Sequence, residues 1–454
     1  MNKYIKTAIL SAAAAISFGA VAQNTNSAYF TEGYNYRYQL NPAFANEKNF
    51  ISIPVAGNVN AAMRGTIGLE DIFYNVDGTT TTFMNPAVDA SFLNNINDMS
   101  RLGGEFNLNL LSVGFKGLKG YNTISVNLKG GLDSRIPKTL FSFLKEGIEN
   151  KTYDISGFDI HSDLYGEIAL GHSHQINQKW RVGGALKFIL GGANIDAQFN
   201  KAQLTLGEDA WSAVTNAQIQ ASVKGLKYES EYNEDTNREY VNGMSFDGAG
   251  LNGFGMALDL GAEFKPNQDW AFSLALLDFG FISWNNNMVA STGGDQSFTT
   301  DAYSFNVDED ASNNFNDEMD KMMNDISTLY ALKDEGDAGS RTTMLGATLN
   351  IAAEYSLPVY RNLKFGLLNS TRIQGDYTWT EFRLGANINP VKPFSAGVNV
   401  AVGTYGWSFG WLMNLNVTGF NLFAGMDHTM GKLAKQGLPL SSNASMNVGI
   451  NIPF

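Results

Sequence analysis

The chain ends in SMNVGINIPF, where Met446, Val448, Ile450, Ile452 and Phe454 alternate with Asn447, Gly449, Asn451 and Pro453. Side chains on a strand point alternately to its two faces, so this strand has one apolar face and one small or polar face. The same period returns along most of the chain. Phe394, Ala396, Val398, Val400 and Val402 stand against Ser395, Gly397, Asn399 and Ala401. Trp407, Phe409, Trp411, Met413, Leu415 and Val417 stand against Ser408, Gly410, Leu412, Asn414 and Asn416. Phe382, Leu384, Ala386 and Ile388 stand against Arg383, Gly385, Asn387 and Asn389. The doublets Leu110-Leu111 and Leu276-Leu277 break the phase, and a β-bulge at each restores it.

Strands of this kind begin near 49, 105, 121, 158, 180, 251, 269, 342, 362, 379, 393, 406, 419 and 443, which makes 14. The stretch 198–226 reads either as a hairpin within a loop or as two further strands, making 16. Many strands run 10–15 residues, well beyond the usual five or six of a soluble sheet. Short turns fall at 117–120, 176–179, 265–269, 358–362, 389–393 and 417–419, and long connections at 62–104, 135–157, 227–250, 285–341 and 428–442. With the C-terminus at one end of a closed barrel, all those short turns share that end and all the long connections share the other. Outer-membrane barrels sort their loops this way. A closed sheet also has no edge to leave unpaired in lipid.

The reading is therefore an all-β transmembrane antiparallel barrel over residues 49–454, with short helices in its outer loops. Residues 23–48 precede it as a small plug. Trp180 and Trp270 follow short turns, while Trp284, Trp379 and Trp407 sit at the opposite strand ends. Those are positions for aromatic belts at the two membrane interfaces. Phe454, the terminal aromatic of the last strand, is the expected assembly signal for the barrel-assembly machinery.

The first residues agree. Lys3 and Lys6 lead an apolar stretch from Ala8 to Phe18, followed by Ala20-Val21-Ala22. This is the pattern of a secretory signal peptide over residues 1–22, cut between Ala22 and Gln23. The apolar stretch is short of the roughly 20 residues that span a bilayer. The sequence has no cysteine, which removes disulfides, thiolate metal sites and a lipoprotein anchor. Its formal net charge is −13, and the signal region carries two of the lysines and no acid. Bulk attraction to nucleic acid is thereby excluded.

Little in the sequence points to catalysis. No G-x-S-x-G elbow and no phosphate-binding glycine loop occur. Of the four histidines, His172 and His174 share a strand face, but they continue the outward Ile168-Leu170 face and read as interface residues. The acidic run 308–313 lacks the glycine and the glutamate of a calcium loop, with Met319 at the twelfth position. No enzyme, cofactor or metal is expected. Phe315, Met319, Met322, Ile326 and Leu329 are spaced for a helix, as are Leu140, Phe141, Leu144 and Ile148. Both helices fall in long loops, where packing on their own loops is the favoured role over a ligand or partner surface. Arg372 and Arg383 lie on inward faces and are the candidate lumen charges.

GYNYRYQLNPAFA, LLSVGFKG, LGHSHQIN, WRVGGALKFILGGANI, LDLGAEFKPNQDWAFSLALLDFGFISW and NVGINIPF resemble an uncharacterised family of outer-membrane barrels that carries a domain of unknown function. The chain is more distantly similar to PorP/SprF-like proteins of type IX secretion and gliding, and to FadL-type transporters of hydrophobic molecules. Asn41-Pro42-Ala43 resembles the NPA element near the N-terminus of those groups. The resemblance implies a Gram-negative outer-membrane barrel surrounded by lipid. It implies FadL-like passage of a small, partly apolar molecule, or else a non-transport structural or interaction component with a surface protein partner. FadL-type proteins have a longer N-terminal plug than residues 23–48.

Overall fold

A computed structural model describes residues 25–146, 150–206, 210–234, 237–300, 315–428 and 443–454. Fourteen antiparallel strands close into one barrel. In chain order, β1 comprises Phe50–Ser52 and Val59–Gly65, and β2 is Met99–Gly117. They are followed by β3 (Gly120–Pro137), β4 (Asp159–Gln175), β5 (Trp180–Leu206), β6 (Gly253–Phe264) and β7 (Trp270–Trp284). The second half holds β8 (Arg341–Met344 and Ala347–Ser356), β9 (Leu363–Ile373), β10 (Trp379–Val391) and β11 (Phe394–Gly403). Finally come β12 (Gly406–Val417), β13 (Phe420–Met426) and β14 (Ala444–Pro453). The ring closes where β14 meets β1, with Phe50 opposite Pro453 and Met63 opposite Ala444.

The stretch that left the strand number open is a hairpin outside the ring. The first half of β5 pairs with β6 as far as Gly191. Its second half pairs instead with Trp211–Val223. That outer ribbon pairs onward with Met288–Ser291 and Gln296–Thr299, so a small sheet rises beyond the barrel rim at the long-loop end.

The outward face is apolar. Leu170, Leu258, Leu274, Leu367, Leu384 and Val400 are each at least 40 % exposed. A soluble protein does not present such a girdle around a closed sheet, whereas lipid requires one. Inward positions carry asparagine, serine, glycine and charge.

Both phase breaks are bulges. Asn109 pairs with Asn127 and Leu111 with Val126, leaving Leu110 as the extra residue. Leu258 pairs with Phe279 and Leu260 with Leu276, so two residues of β7 face Asp259. Asp278, within that second bulge, takes a left-handed φ of 54°. The second bulge also corrects the belt assignment. Trp270, Phe272 and Leu274 face outward before it, and Phe279 and Phe281 after it. The parity has flipped, so Trp284 is fully buried inside and donates to Thr343 Oγ1 at 2.9 Å. Trp379 is likewise buried, beneath the Arg64 guanidinium at 4.5 Å, because it shares the inward face of Glu381 and Arg383. Trp180, Trp270 and Trp407 remain outward.

Both loop helices form, α1 over Lys138–Glu146 and α2 over Phe315–Thr328. α1 packs on the connection between β1 and β2, and α2 packs partly on its own loop and partly on the outer ribbon. Phe141 of α1 joins Ile67, Phe83 and Phe92. Met322 and Ile326 of α2, with Leu329 beyond it, cover Ala213 and Phe298. The signal cleavage position Ala22–Gln23 and the acidic run 308–313 lie outside the described residues.

Residues 25–48 contain no strand. They run inside the barrel, where Tyr29, Tyr34, Tyr36, Leu40 and Phe44 are buried against Leu368, Leu412 and Phe423 of the wall.

Candidate functional site

The lumen is filled in two different ways. Toward the short-turn end the filling is the inner segment 25–48. Its NPA element is a tight turn in which Asn41 Oδ1 accepts from the Ala43 N–H at 2.9 Å. The wall makes room for that turn with glycine. A Cβ at Gly183 would stand 2.0 Å from the Pro42 carbonyl oxygen, and one at Gly261 would stand 2.1 Å from Asn41 Oδ1. Phe30 rests the same way on Gly366, whose Cβ would reach its ring at 2.4 Å. The tyrosines find the inward asparagines of the closing strands. Tyr36 donates to Asn451 Oδ1 at 2.7 Å and Tyr34 to Asn447 Oδ1 at 3.3 Å. The start of the segment reaches up to the level of Arg383, where the Asp427 carboxylate accepts the Asn26 and Ser27 N–H groups at 2.8 and 2.6 Å. At the short-turn rim Glu32 pairs with Lys364. Burial opposes the Glu32 charge, but Lys364 outweighs it and holds the carboxyl below the usual glutamate range.

Toward the long-loop end the filling is charge carried by the wall itself. Lys187 lies 2.7 Å from Asp259 and 2.6 Å from Asp278. Lys129 lies 2.7 Å from Glu167 and 3.6 Å from Asp278. The Asp278 bulge serves this cluster, since the Asp278 N–H donates to Asp259 Oδ1 at 2.7 Å and turns its own carboxylate inward. Arg383 is 2 % exposed in the lumen and donates through Nη2 to Glu381 Oε1 at 2.8 Å. It also reaches Ser27 Oγ at 3.4 Å, tying the inner segment to the wall. Arg372 also points inward, donating through Nε to Gln374 Oε1 at 2.7 Å. Both arginines therefore face the lumen, but only Arg383 touches the inner segment.

Two cavities flank the Lys129 side chain, which lines both. The one nearer the short turns is also lined by Tyr38, Pro42 and Lys187 and offers about 20 Å³ to water centres. The one nearer the loops is lined by Asp133, Asp163, Asp278, Arg372 and Gln374 and offers about 40 Å³. Spaces of this size hold a few waters. Among the described residues no three acidic, histidine or cysteine side chains are grouped to hold a metal ion. His172 and His174 stack at 5.9 Å, and His172 bonds to Asn122 at 2.9 Å.

Lys187, Asp259 and Asp278 were not singled out from the sequence. Their signal is a lone charge inside long alternating strands, in GALKFIL, ALDLG and LLDFG. Such positions face a lumen or are excluded by lipid.

The model of one family, described as a family of unknown function (DUF5723), matches residues 42–427. The chain belongs to that family. The match runs from the NPA turn to the aspartate that holds residues 26 and 27. No curated protein matches. Among solved structures, the toluene transporter TodX of Pseudomonas putida is similar at a TM-score of 0.40 and 8 % identity, over 96 % of each chain. The toluene transporter TbuX of Ralstonia pickettii gives 0.41 and 8 %, over 96 % of this chain and 97 % of that one. A FadL homologue of Pseudomonas aeruginosa gives 0.37 and 10 %, over 95 % and 98 %. These are likenesses of outline.

Proposed function

We propose that the protein is a gated outer-membrane passage for a small, partly apolar molecule, with residues 25–48 as the gate. The observation that carries this reading is that the lumen is closed by a segment that contributes nothing to the barrel ladder. Its departure leaves every strand pairing in place. The wall is shaped to receive it at Gly183, Gly261 and Gly366, so closure is specified by the fold. Short turns then face the periplasm and long loops the cell exterior. No step of covalent chemistry is called for.

A second reading, a non-transport interaction component, draws on the hairpin Leu226–Asn233 and Arg238–Phe246, which rises at the loop end. It exposes Tyr232, Met244 and Phe246 at 56–62 %, more apolar surface than an isolated loop needs.

A disulfide lock separates the two. A Cβ at Gly397 would lie 3.6 Å from Thr31 Oγ1, near enough for a disulfide once the Asn387 side chain, 2.2 Å from that Cβ, turns aside. In proteoliposomes, the oxidised Thr31→Cys/Gly397→Cys variant should pass neither toluene nor a medium-chain fatty acid. Reduction should restore wild-type flux. Absence of flux for either solute through the wild-type and reduced proteins would remove the transport reading and leave the interaction reading.

A further inference from the structure

We infer that the cavity on the loop side of Lys129 is a binding site for a small zwitterion, in which Arg372 receives a carboxylate and Asp133 an ammonium group. The inference concerns equilibrium binding above the inner segment and stands whether or not a solute crosses.

Most of the other buried charges around this cavity have close partners, and Asp163 faces His161 at 3.9 Å. Lys129 has Glu167, Lys187 has Asp259 and Asp278, and Glu105 has Arg64 at 2.8 Å. Arg135 has Asp159, and Arg341 has Asp196 at 2.6 Å. Arg372 and Asp133 line the same cavity, yet neither has an oppositely charged side chain within 4.0 Å among the described residues. They are held apart by Gln374, whose Oε1 accepts from Arg372 Nε at 2.7 Å and whose Nε2 donates to Asp133 Oδ2 at 3.4 Å. A neutral amide bridges the two charges, which come from β3 and β9 on different sides of the ring, while denying them direct contact. Each keeps hydrogen-bonding capacity toward the cavity. The guanidinium has its two Nη groups for a carboxylate, and the Asp133 carboxylate can accept from an ammonium.

A guest carrying one charge of either sign would satisfy one of them and leave the other desolvated without a partner, which is costly. A guest carrying both, separated by one or two atoms, satisfies both and brings no net charge into the lumen. The body of the guest has a place as well. Tyr165 lines the cavity and packs with Ile189, Ile282 and Trp284 in an apolar cluster. The class that fits is a small α-amino acid with a short apolar side chain.

The test is calorimetric titration of the full-length barrel in detergent with three probes of similar size: L-alanine, propionate and ethylamine. L-alanine should bind at least tenfold more tightly than either singly charged probe. Arg372→Gln and Asp133→Asn should each reduce alanine binding at least tenfold, while the heat-modifiable folded form persists on gels. Gln374→Glu supplies a partner for Arg372 and should also abolish binding. The oxidised Thr31→Cys/Gly397→Cys lock should bind alanine as wild type does, so failed transport and failed binding are read separately. Equal affinity for propionate or ethylamine, or no binding of alanine to any folded form, would overturn the inference.

Discussion

The two halves of the lumen are closed by different physics. The half near the short turns is closed by neutral groups, tyrosine hydroxyls on asparagine amides and aromatic rings on glycine. The half near the loops is closed by ions on the wall, with Lys187 against Asp259 and Asp278 and Lys129 beside Asp278. A neutral hydrogen bond exchanged for one to water changes stability by only about 0.5–1.5 kcal/mol. A buried ion that loses its partner costs several times more. The removable part of the filling is therefore built from exchangeable contacts, and the fixed part from contacts that cannot be broken singly.

The widest gap between the halves should appear at Lys187. Lys187→Met leaves Asp259 and Asp278, both in the lumen, with one cation fewer. The expected loss is about 3–5 kcal/mol, read as a lower urea midpoint for the detergent-folded barrel. Lys187→Met/Asp259→Asn should recover a large share of it. On the other side, Tyr36→Phe removes one hydroxyl bond to Asn451 and should cost about 1 kcal/mol. Similar losses for Lys187→Met and Tyr36→Phe would erase the distinction.

The wall supplies the next contrast, between its two faces. Val400 is 51 % exposed on the outside, and Val400→Arg there should cost about 2–4 kcal/mol if it lies at mid-bilayer. A lumen residue next to it would be tolerant in an open pore. Asn399 is not in an open pore. It is 7 % exposed and accepts from Arg383 and from Ser27 Oγ at 3.4 Å. Asn399→Arg would place two guanidinium groups together against the inner segment. The barrel should still form, but trypsin should gain access to Arg37. An uncut segment in this variant would mean that its seat does not depend on Arg383.

Why one face was legible and the other was not follows from these neighbours. Alternation over Phe394–Gly403 or Gly406–Val417 places each residue in or out, because the period is exact to one residue. Even the bulges at Leu110 and Asp278 announce themselves as doublets that spoil the phase. The consequence of a bulge is harder to foresee. Trp284 was expected in the outer belt and is inside, because the Asp278 bulge reverses parity six residues earlier. What an inward residue touches is not periodic at all. Gly366 lies under Phe30, more than 300 residues away in sequence, and nothing local marks that pairing. The same holds for Arg372, Gln374 and Asp133, which three-dimensional closure alone brings to one cavity.

Gly366 offers a smaller perturbation that acts on the gate alone. Gly366→Ala puts a methyl group where the Phe30 ring sits, an overpacking worth about 1–3 kcal/mol. The barrel ladder is untouched, so the cost falls on seating of residues 25–48. Solute leak through proteoliposomes should rise while the urea midpoint barely moves. Phe30→Ala/Gly366→Ala relieves the clash and should leak less than Gly366→Ala alone. If both variants leak equally, or Gly366→Ala unfolds the barrel, the inner segment is not separable from the wall.

The smallest effect is expected at the rim, where Glu32 of the segment pairs with Lys364 of the wall. The Glu32 carboxyl is held below its usual value by Lys364, so the folded state binds its proton more weakly than the unfolded state does. That contribution is present above the ordinary glutamate range near 4.5 and is lost as pH falls through the lower folded value. With the Glu32 side chain 49 % exposed, solvent screens the pair, and its worth is about 0–1 kcal/mol. Glu32→Gln should therefore shift trypsin access to Arg37 only slightly at neutral pH, and the shift should shrink further in high salt. Below the folded Glu32 value the variant and wild type should coincide. A large salt-dependent release in the variant would mean that the rim pair, and not the aromatic and asparagine contacts deeper in the lumen, holds the segment in place.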